Sequence, residues 1–324
     1  MDPADGLSGR RVVVTGGGGF VGSRIVARLL EAGADVLVVD DFSTGSRAGL
    51  AEWAPSVDVL EGSVTDLELV REALIDCEIV IHAAARNIVL STRNPKDDFS
   101  VNIGGTLNVL LAARELGLGR IVYTSSASIY GNPRYLPIAE EDPVNLLSPY
   151  AVSKYAGEGY CHAFYESYGL PTAVVRYSNV FGLGQRADNP YCGVVAKFFQ
   201  TAMAHEPPQI HGDGEQTRDY TFVEDAVAAT LHVAVSPRAI GQAYNVGTGR
   251  ETSVNRLASM IIEITGAAVE PRHVDRRDID NIRRRVLNIE KIRRELRWSP
   301  DLTVEHGLRE TYAWLRARTA PGSA

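Results

Sequence analysis

The sequence predicts an α/β fold, a doubly wound parallel sheet followed by a smaller, mixed α/β C-terminal lobe. Three observations predict it. Short apolar runs alternate with stretches of helical length through the first half of the chain. A glycine-rich turn joins the first apolar run to the first helical stretch. After about Asn179 this rhythm gives way to irregular segments rich in Gly, Asn, Asp and Pro.

The runs 12–15, 36–40, 57–61, 79–82, 121–125 and 173–177 have the continuous apolar character of strands covered on both faces. Between them, 21–32, 67–74, 97–116 and 150–168 have helical length and pattern. Alternation of this kind builds a parallel sheet that binds ligands above the carboxyl ends of its strands. Beyond it, 182–191 reads as a loop, 194–204 as an apolar helix and His211-Gly-Asp-Gly-Glu215 as a turn. A helix over 223–235 and a short strand over 243–247 return to the first unit, and helices follow over 253–265, 289–296 and 304–318. The expected division is a cofactor-binding domain over 1–178 with 222–247 returning to it, and a substrate-binding lobe over 179–221 and 248–324. No internal repeat is visible.

At 324 residues the chain is long enough for one large α/β unit or two lobes. Its 45% hydrophobic and 23% charged residues are those of an ordinary soluble globular protein. A net charge of -7 argues against nucleic-acid and anionic-membrane partners, and leaves a small anionic ligand open. Neither a signal-peptide stretch nor an apolar run of membrane-spanning length is present, so a cytoplasmic location is expected. Cys77, Cys161 and Cys192 are widely spaced and form no metal-ligand pattern; free thiols in a reducing compartment are expected.

The turn Val14-Thr-Gly-Gly-Gly-Gly-Phe-Val-Gly22 places Gly16, Gly19 and Gly22 between a strand and a helix. That arrangement lets backbone approach a pyrophosphate and presents the free N–H groups of a helix N-terminus to it. A second strand ends at Asp40, an acid placed to accept hydrogen bonds from ribose hydroxyls and to repel a 2′-phosphate. NAD is therefore expected in preference to NADP, with Arg47 the residue that would soften this preference if its loop folded back. Asp66 is a candidate for the adenine edge and equally for the N-cap of the helix behind it.

Tyr150-Ala-Val-Ser-Lys154 sets a phenol and an ammonium one helical turn apart. A phenol is a poor base at neutral pH, and a neighbouring Lys⁺ together with a positive nicotinamide ring favours its ionised form. Ser125-Ser-Ala-Ser-Ile-Tyr-Gly131 follows the fifth strand, where a hydroxyl can position a substrate oxygen for proton transfer. Together with the glycine turn, these motifs resemble the extended short-chain dehydrogenase/reductase family, which includes the nucleotide-sugar epimerases and dehydratases. The resemblance covers nearly the whole chain and implies a Rossmann-type sheet.

Carried onto this sequence, the resemblance assigns Ser126 as the catalytic hydroxyl, Tyr150 as the base and Lys154 as its partner. It implies a cofactor wall of Gly16, Gly19, Phe20, Val21, Gly22, Asp40, Asp41, Ser43, Thr44, Gly45, Ser63 and Val64. To these it adds Ala83, Ala84 and Ala85 of the His82-Ala-Ala-Ala85 run, Asn102, Ser125, Tyr150, Lys154 and Tyr177. Ser126, Tyr150, Asn179, Arg218 and Arg285 are the implied substrate contacts, with Arg218 on the nucleotide diphosphate. Asn245-Val-Gly-Thr-Gly249 is a further family marker that also reads as a strand-ending turn.

In this family the 4,6-dehydratases and uronate decarboxylases place an acid directly after the catalytic Ser/Thr, and here that residue is Ala127. What remains is a 4-epimerase of the UDP-glucose/UDP-galactose type, working by transient oxidation to a 4-keto sugar. The Asp41-Phe-Ser-Thr-Gly45 and Asn189-Pro-Tyr-Cys-Gly193 segments also look like the epimerase branch. The segment Arg277–Asn288 departs from its pattern: an expected acid is Asn281, and a pocket-lining position is Arg285. Arg285 reads either as a solvated arginine, the preferred reading, or as a reader of a uronate carboxylate, which would make a UDP-glucuronate 4-epimerase. A reductase or dehydrogenase of a nucleotide-linked keto sugar shares the same catalytic residues, and a non-catalytic dinucleotide sensor is a remote alternative. A homodimer formed through the helices 97–116 and 150–168 is implied by the resemblance.

Overall fold

The computed structural model describes residues 3–185, 193–276 and 282–319. Strand β1 (Arg11–Thr15) runs through the glycine turn into α1 (Phe20–Glu31), which buries Ile25, Val26 and Leu29 on one face. Each such side chain contributes about 1.5–3 kcal/mol when fully removed from water. β2 (Asp35–Asp40) and β3 (Asp58–Glu61) follow, then α2 (Leu67–Ala73) and β4 (Ile79–His82).

After α3 (Ile88–Arg93), the helix expected over 97–116 forms as one unbroken helical run made of α4 (Pro95–Asp98), a π-helical stretch Phe99–Gly105 and α5 (Thr106–Leu116). Asn94 caps α4 with its side chain, Pro95 supplies a first-turn residue, and the Gly104-Gly105 pair weakens the α-helical ladder where it widens. β5 (Arg120–Ser126) passes through a 3-10 turn, Ala127–Tyr130, and a long connection into α6 (Pro149–Tyr168). Ser148 caps α6 by accepting from the Ala151 N–H, and Gly169 ends it in the left-handed conformation. β6 (Thr172–Tyr177) follows.

The chain then adds β7 (Asn179–Phe181), α7 (Val194–Met203), β8 (Gln209–His211), β9 (Thr217–Arg218) and β10 (Tyr220–Phe222). After them come α8 (Val223–Val235), β11 (Ala243–Val246), β12 (Thr252–Ser253) and α9 (Val254–Thr265). β13 (Arg272–Val274), α10 (Glu290–Leu296) and α11 (Val304–Thr319) complete the elements. The strands β7 to β10, β12 and β13 were not expected; at two or three residues each they are too short to show an alternating pattern.

A seven-stranded sheet with the order β11-β6-β5-β4-β1-β2-β3 carries the molecule, and all of its pairings are parallel. Val12 and Val14 pack into one apolar cluster with α1 and α8, while Val13 points into another with α5 and α6. Both faces are thus covered, which is why the strand runs are apolar without alternation. The chain leaves β1 toward β2 on one side and reaches β4 on the other, so the sheet order reverses between β1 and β4. In open parallel sheets that reversal opens a crevice for ligands. A third cluster, built on Phe181, Phe199, Phe222, Leu257 and Ile261, packs the C-terminal elements beside the sheet.

Candidate active site

At the reversal point the glycine turn leaves no room for side chains. Gly16 has φ +71°, and a Cβ there would sit 2.6 Å from the Ala84 nitrogen. A Cβ on Gly22 would sit 2.0 Å from the Gly16 carbonyl oxygen. Both positions require glycine. Asp40, buried at the end of β2, accepts from the Gly18 N–H at 2.8 Å and from the Phe42 N–H at 2.7 Å. Burial raises its pKa, against the pull of those two backbone bonds. Its carboxylate therefore fixes both rims of the crevice while each oxygen keeps a lone pair for a ribose hydroxyl.

Arg47 does not fold back into the crevice. It pairs with Glu61, and its guanidinium lies 4.8 Å over the Phe42 ring. Arg47 is not among the residues that line the crevice. Asp66 caps α2, accepting from the Glu68 and Leu69 N–H groups, and does not line the crevice.

The crevice is a cavity of about 750 Å³. Gly16, Gly19, Phe20, Val21, Gly22, Asp40, Asp41, Ser43, Thr44, Gly45, Ser63, Val64, Ala83, Ala84, Ala85, Ser125, Tyr150, Lys154 and Tyr177 all line it. The Ser125 hydroxyl is buried there without a hydrogen-bond partner, a polar group that a bound dinucleotide would satisfy. Asn102 is the exception among the expected cofactor residues. It is buried outside the cavity wall, where its Oδ1 accepts from the Arg86 N–H at 2.7 Å and its Nδ2 donates to the Arg86 carbonyl at 3.1 Å. It shapes the wall through the backbone it holds. Arg86, which the sequence reading passed over, lines the cavity and bonds Asp97 (2.7 Å), Ser43 (2.6 Å) and Asp41 (3.3 Å). It latches the loop after β2 to α4.

The far end of the cavity carries the Tyr150–Lys154 pair. α6 packs tightly on β5 because position 157 is glycine: a Cβ there would lie 2.3 Å from the Tyr123 hydroxyl. Lys154 can then reach the Thr124 carbonyl, to which its Nζ donates at 2.8 Å. Burial lowers the Lys154 pKa to about 8, while Asp98, Glu158 and Cys161 pull it upward. Tyr150 is half-buried, and burial pushes its phenol up to about 12; the neighbouring Ser126 hydroxyl acts in the lowering direction and Asp98 in the raising one. Burial thus outweighs the lowering expected from Lys154, whose Nζ stands 6.0 Å from the Tyr150 ring centre. Ser126 also caps the 3-10 turn, accepting from the Ser128 N–H at 3.1 Å. Behind this group Asp98 accepts from Ser91 (2.5 Å), Asn102 (2.6 Å) and Ser153 (2.9 Å), and so ties α3, the π-helical stretch and α6 together. The Tyr177 hydroxyl meets Thr230 at 2.5 Å, away from any exchange with solvent.

Ser126, Asn179, Arg218 and Arg285 lie outside the lining of this cavity. Asn179 has a buried, unpartnered Oδ1 at the start of β7. Arg218 is buried and donates to the Ile282 carbonyl at 2.8 Å, while the Thr217 N–H donates to the Arg283 carbonyl at 2.9 Å. The strand carrying Arg218 is therefore laced to the segment carrying Arg285. Arg285 is only 4% exposed, so the expectation of a solvated arginine is corrected. Asp219, which the sequence reading did not single out, accepts from Thr248 N–H (2.8 Å), Thr248 hydroxyl (2.6 Å), Gly249 N–H (3.1 Å) and Leu287 N–H (3.3 Å). It fixes the turn after β11 against the Arg285 segment. Asn189, Cys192 and Asn281 lie outside the described residues. Cys77 and Cys161 are buried free thiols. No helix among the described residues is long and apolar enough to cross a membrane.

Residues 12–247 match the model of the NAD dependent epimerase/dehydratase family. The chain belongs to that family. Its cofactor is NAD. Within the family, the chain is 37% identical to a UDP-glucose 4-epimerase of Mycolicibacterium smegmatis, over 95% of this chain and 99% of that protein. It is 30% identical to a UDP-N-acetyl-alpha-D-glucosaminuronate decarboxylase of Bacillus cytotoxicus, over 95% of this chain and 98% of that protein. A UDP-glucose 4-epimerase of Thermotoga maritima, solved with UDP-glucose, superposes with a TM-score of 0.90 at 34% identity, covering 95% of this chain and 99% of that one. Relatives of one fold thus carry out different reactions, and the site has to choose between them.

Proposed function

We propose that the chain is an NAD-dependent nucleotide-sugar 4-epimerase that interconverts UDP-glucose and UDP-galactose through a 4-keto sugar. The observation that carries this reading is the residue directly after Ser126, which is Ala127, buried at 1% exposure. A methyl group in that place supplies neither the acid for elimination nor the pattern of the decarboxylases. The likeness to UDP-glucose 4-epimerases supports the same choice.

When bound, NAD supplies a reversible acceptor for the hydrogen on C4 and, in its oxidised form, a positive ring charge. The protein's own residues manage the proton. Tyr150 takes it from the C4 hydroxyl and returns it, and Ser126 orients that oxygen between sugar and phenol. Lys154 places its charge on the same helix face one turn behind Tyr150, favouring phenolate when it is protonated. Arg218 and Arg285, buried on mutually bonded segments, suit the two phosphates of the substrate. Residues 1–178 with 222–247 form the cofactor unit in this reading, and 179–221 with 248–324 the substrate unit. The same surfaces propose a homodimer: Phe99, Val152 and Tyr155 are 61%, 47% and 40% exposed along the π-helical stretch and α6.

Replacing Tyr150 by Phe tests the assignment. NAD bound per chain is expected to stay near the parent level, while UDP-galactose turnover falls by about 10²–10⁴-fold. Turnover retained in Tyr150→Phe would remove Tyr150 as the base.

A further inference from the structure

We propose that Arg176, acting with Tyr130 and Glu158, is a positioning hub that holds the Ser126 turn, the Tyr150–Lys154 helix and the Arg285 segment in one register. The proposal rests on the reading of Ser126 and Tyr150 given above. It concerns three residues that touch neither the cavity wall nor the reacting atoms.

Arg176 lies on β6 and is 8% exposed. Its Nε donates to both Glu158 oxygens at 3.1 Å, and its Nη2 to Glu158 Oε2 at 2.7 Å. Its Nη1 donates to the Tyr130 hydroxyl at 2.7 Å and to the Glu140 carbonyl at 2.8 Å. One planar guanidinium therefore fixes a point on α6 and a point on the turn after β5. Glu158 sits one helical turn beyond Lys154 on α6, and Tyr130 closes the 3-10 turn that Ser126 caps.

From Tyr130 the chain of bonds continues outward. Its hydroxyl donates to Asn245 Oδ1 at 2.8 Å, and Asn245 Nδ2 donates to the carbonyls of Ile138 (2.9 Å) and Asn288 (3.3 Å). The Ile138 N–H donates to the Val286 carbonyl at 2.8 Å, and its carbonyl accepts from the Asn288 N–H at 2.7 Å. Thus the segment next to Arg285 is hung from the same hydroxyl that anchors the Ser126 turn. The Tyr130 hydroxyl accepts once and donates once, so the network has no slack.

Stability is a weak reason for such an arrangement. A buried Arg–Glu pair gains little over well-packed apolar residues, because desolvation offsets its attraction. What it does well is fix position, and small misplacements of reacting groups are costly: about 1 Å can lower a rate by about 10²-fold.

Glu158 adds an electrostatic link. The groups facing the Lys154 ammonium are Asp98 of α4, the neutral His82 of β4, Tyr123 and the Thr124 carbonyl of β5, and Tyr150, Glu158 and Cys161 of α6. Of these, Asp98 and Glu158 are the carboxylates that hold Lys154 charged.

The test is a double-mutant cycle with UDP-galactose as substrate, together with NAD titration by calorimetry and a melting curve for each variant. Tyr130→Phe should lower kcat by about tenfold or more, with KM and the NAD affinity within about twofold of the parent. In a Ser126→Ala background the same change should cost less than about twofold, because its effect passes through Ser126. Glu158→Gln should move the alkaline limb of kcat to lower pH, since Lys154 loses a carboxylate that holds its proton, and Glu158→Asp should restore part of the shift. Should Tyr130→Phe fail to fold, this pH profile makes the test alone. An unchanged kcat in Tyr130→Phe, full multiplicative losses in the double variant, or an unmoved alkaline limb in Glu158→Gln would overturn the hub. Full activity in Tyr150→Phe would overturn the site reading instead, so the two failures are distinguishable.

Discussion

Tyr150 has to give up a proton from a place where burial holds its phenol at about 12. In the proposed reaction the neighbouring Ser126 hydroxyl and the ring charge of bound NAD bring that proton within reach, with Lys154 balanced near 8 behind them. His82 stands deeper in the same wall, its ring meeting Thr15 at 2.6 Å and Thr106 at 3.0 Å. Burial, and then the charge of Lys154, lower its pKa to about 3. In the unfolded chain the imidazole takes up a proton near pH 6.5. Between about pH 6.5 and 3 the unfolded state therefore binds the extra proton, and stability falls as pH falls, by at most about 1.4 kcal/mol per pH unit from this residue. Melting temperatures measured from pH 7 to pH 4 should drop more steeply for the parent than for His82→Gln; parallel curves would contradict a neutral His82. Spacing made the Tyr150–Lys154 pair legible in the sequence, and the family resemblance of the stretch after the fifth strand assigned Ser126. Asp98, Asp219 and Arg86 were not legible, because most of their partners lie on other elements, brought together by the fold rather than by spacing in the chain. The only local signals were adjacency: Arg86 follows the alanine run, and Asp219 follows Arg218.

At the scale of elements, the strands of the central sheet were readable because both faces are buried and each run is apolar throughout. Before α5 the helix itself was legible and its change of winding was not. A π-helical stretch keeps nearly the apolar spacing of an α-helix, so 97–116 reads as one helix although Phe99–Gly105 is wound more widely. Its widened turn carries Asn102, which holds the Arg86 backbone, and leaves Phe99 61% exposed on the outside. With Val152 and Tyr155 of α6, Phe99 forms the apolar face proposed to meet a second copy. Charged substitutions there, Val152→Glu with Tyr155→Glu, should convert a dimer to a monomer in light scattering with little change in the fold. A parent protein that is monomeric at micromolar concentration would contradict the proposed interface.

For the whole molecule, the sheet reversal between β1 and β4 decides where chemistry can occur, and every element of the site is an answer to that opening. The glycine turn and Asp40 fit one end, and Ser125, Tyr150 and Lys154 line the other. The segments carrying Arg218 and Arg285 are laced together beside it. The proposed epimerisation calls for no second substrate, because oxidation and reduction would occur at the same carbon. The central claim is inversion at C4 without net redox change, and product NMR tests it most directly. Protein as purified, given UDP-galactose and no added cofactor, should yield an equilibrium mixture with UDP-glucose and no other sugar. A 4-keto-6-deoxy or decarboxylated product, conversion of UDP-glucuronate in preference, or no reaction without a stoichiometric nicotinamide would contradict it.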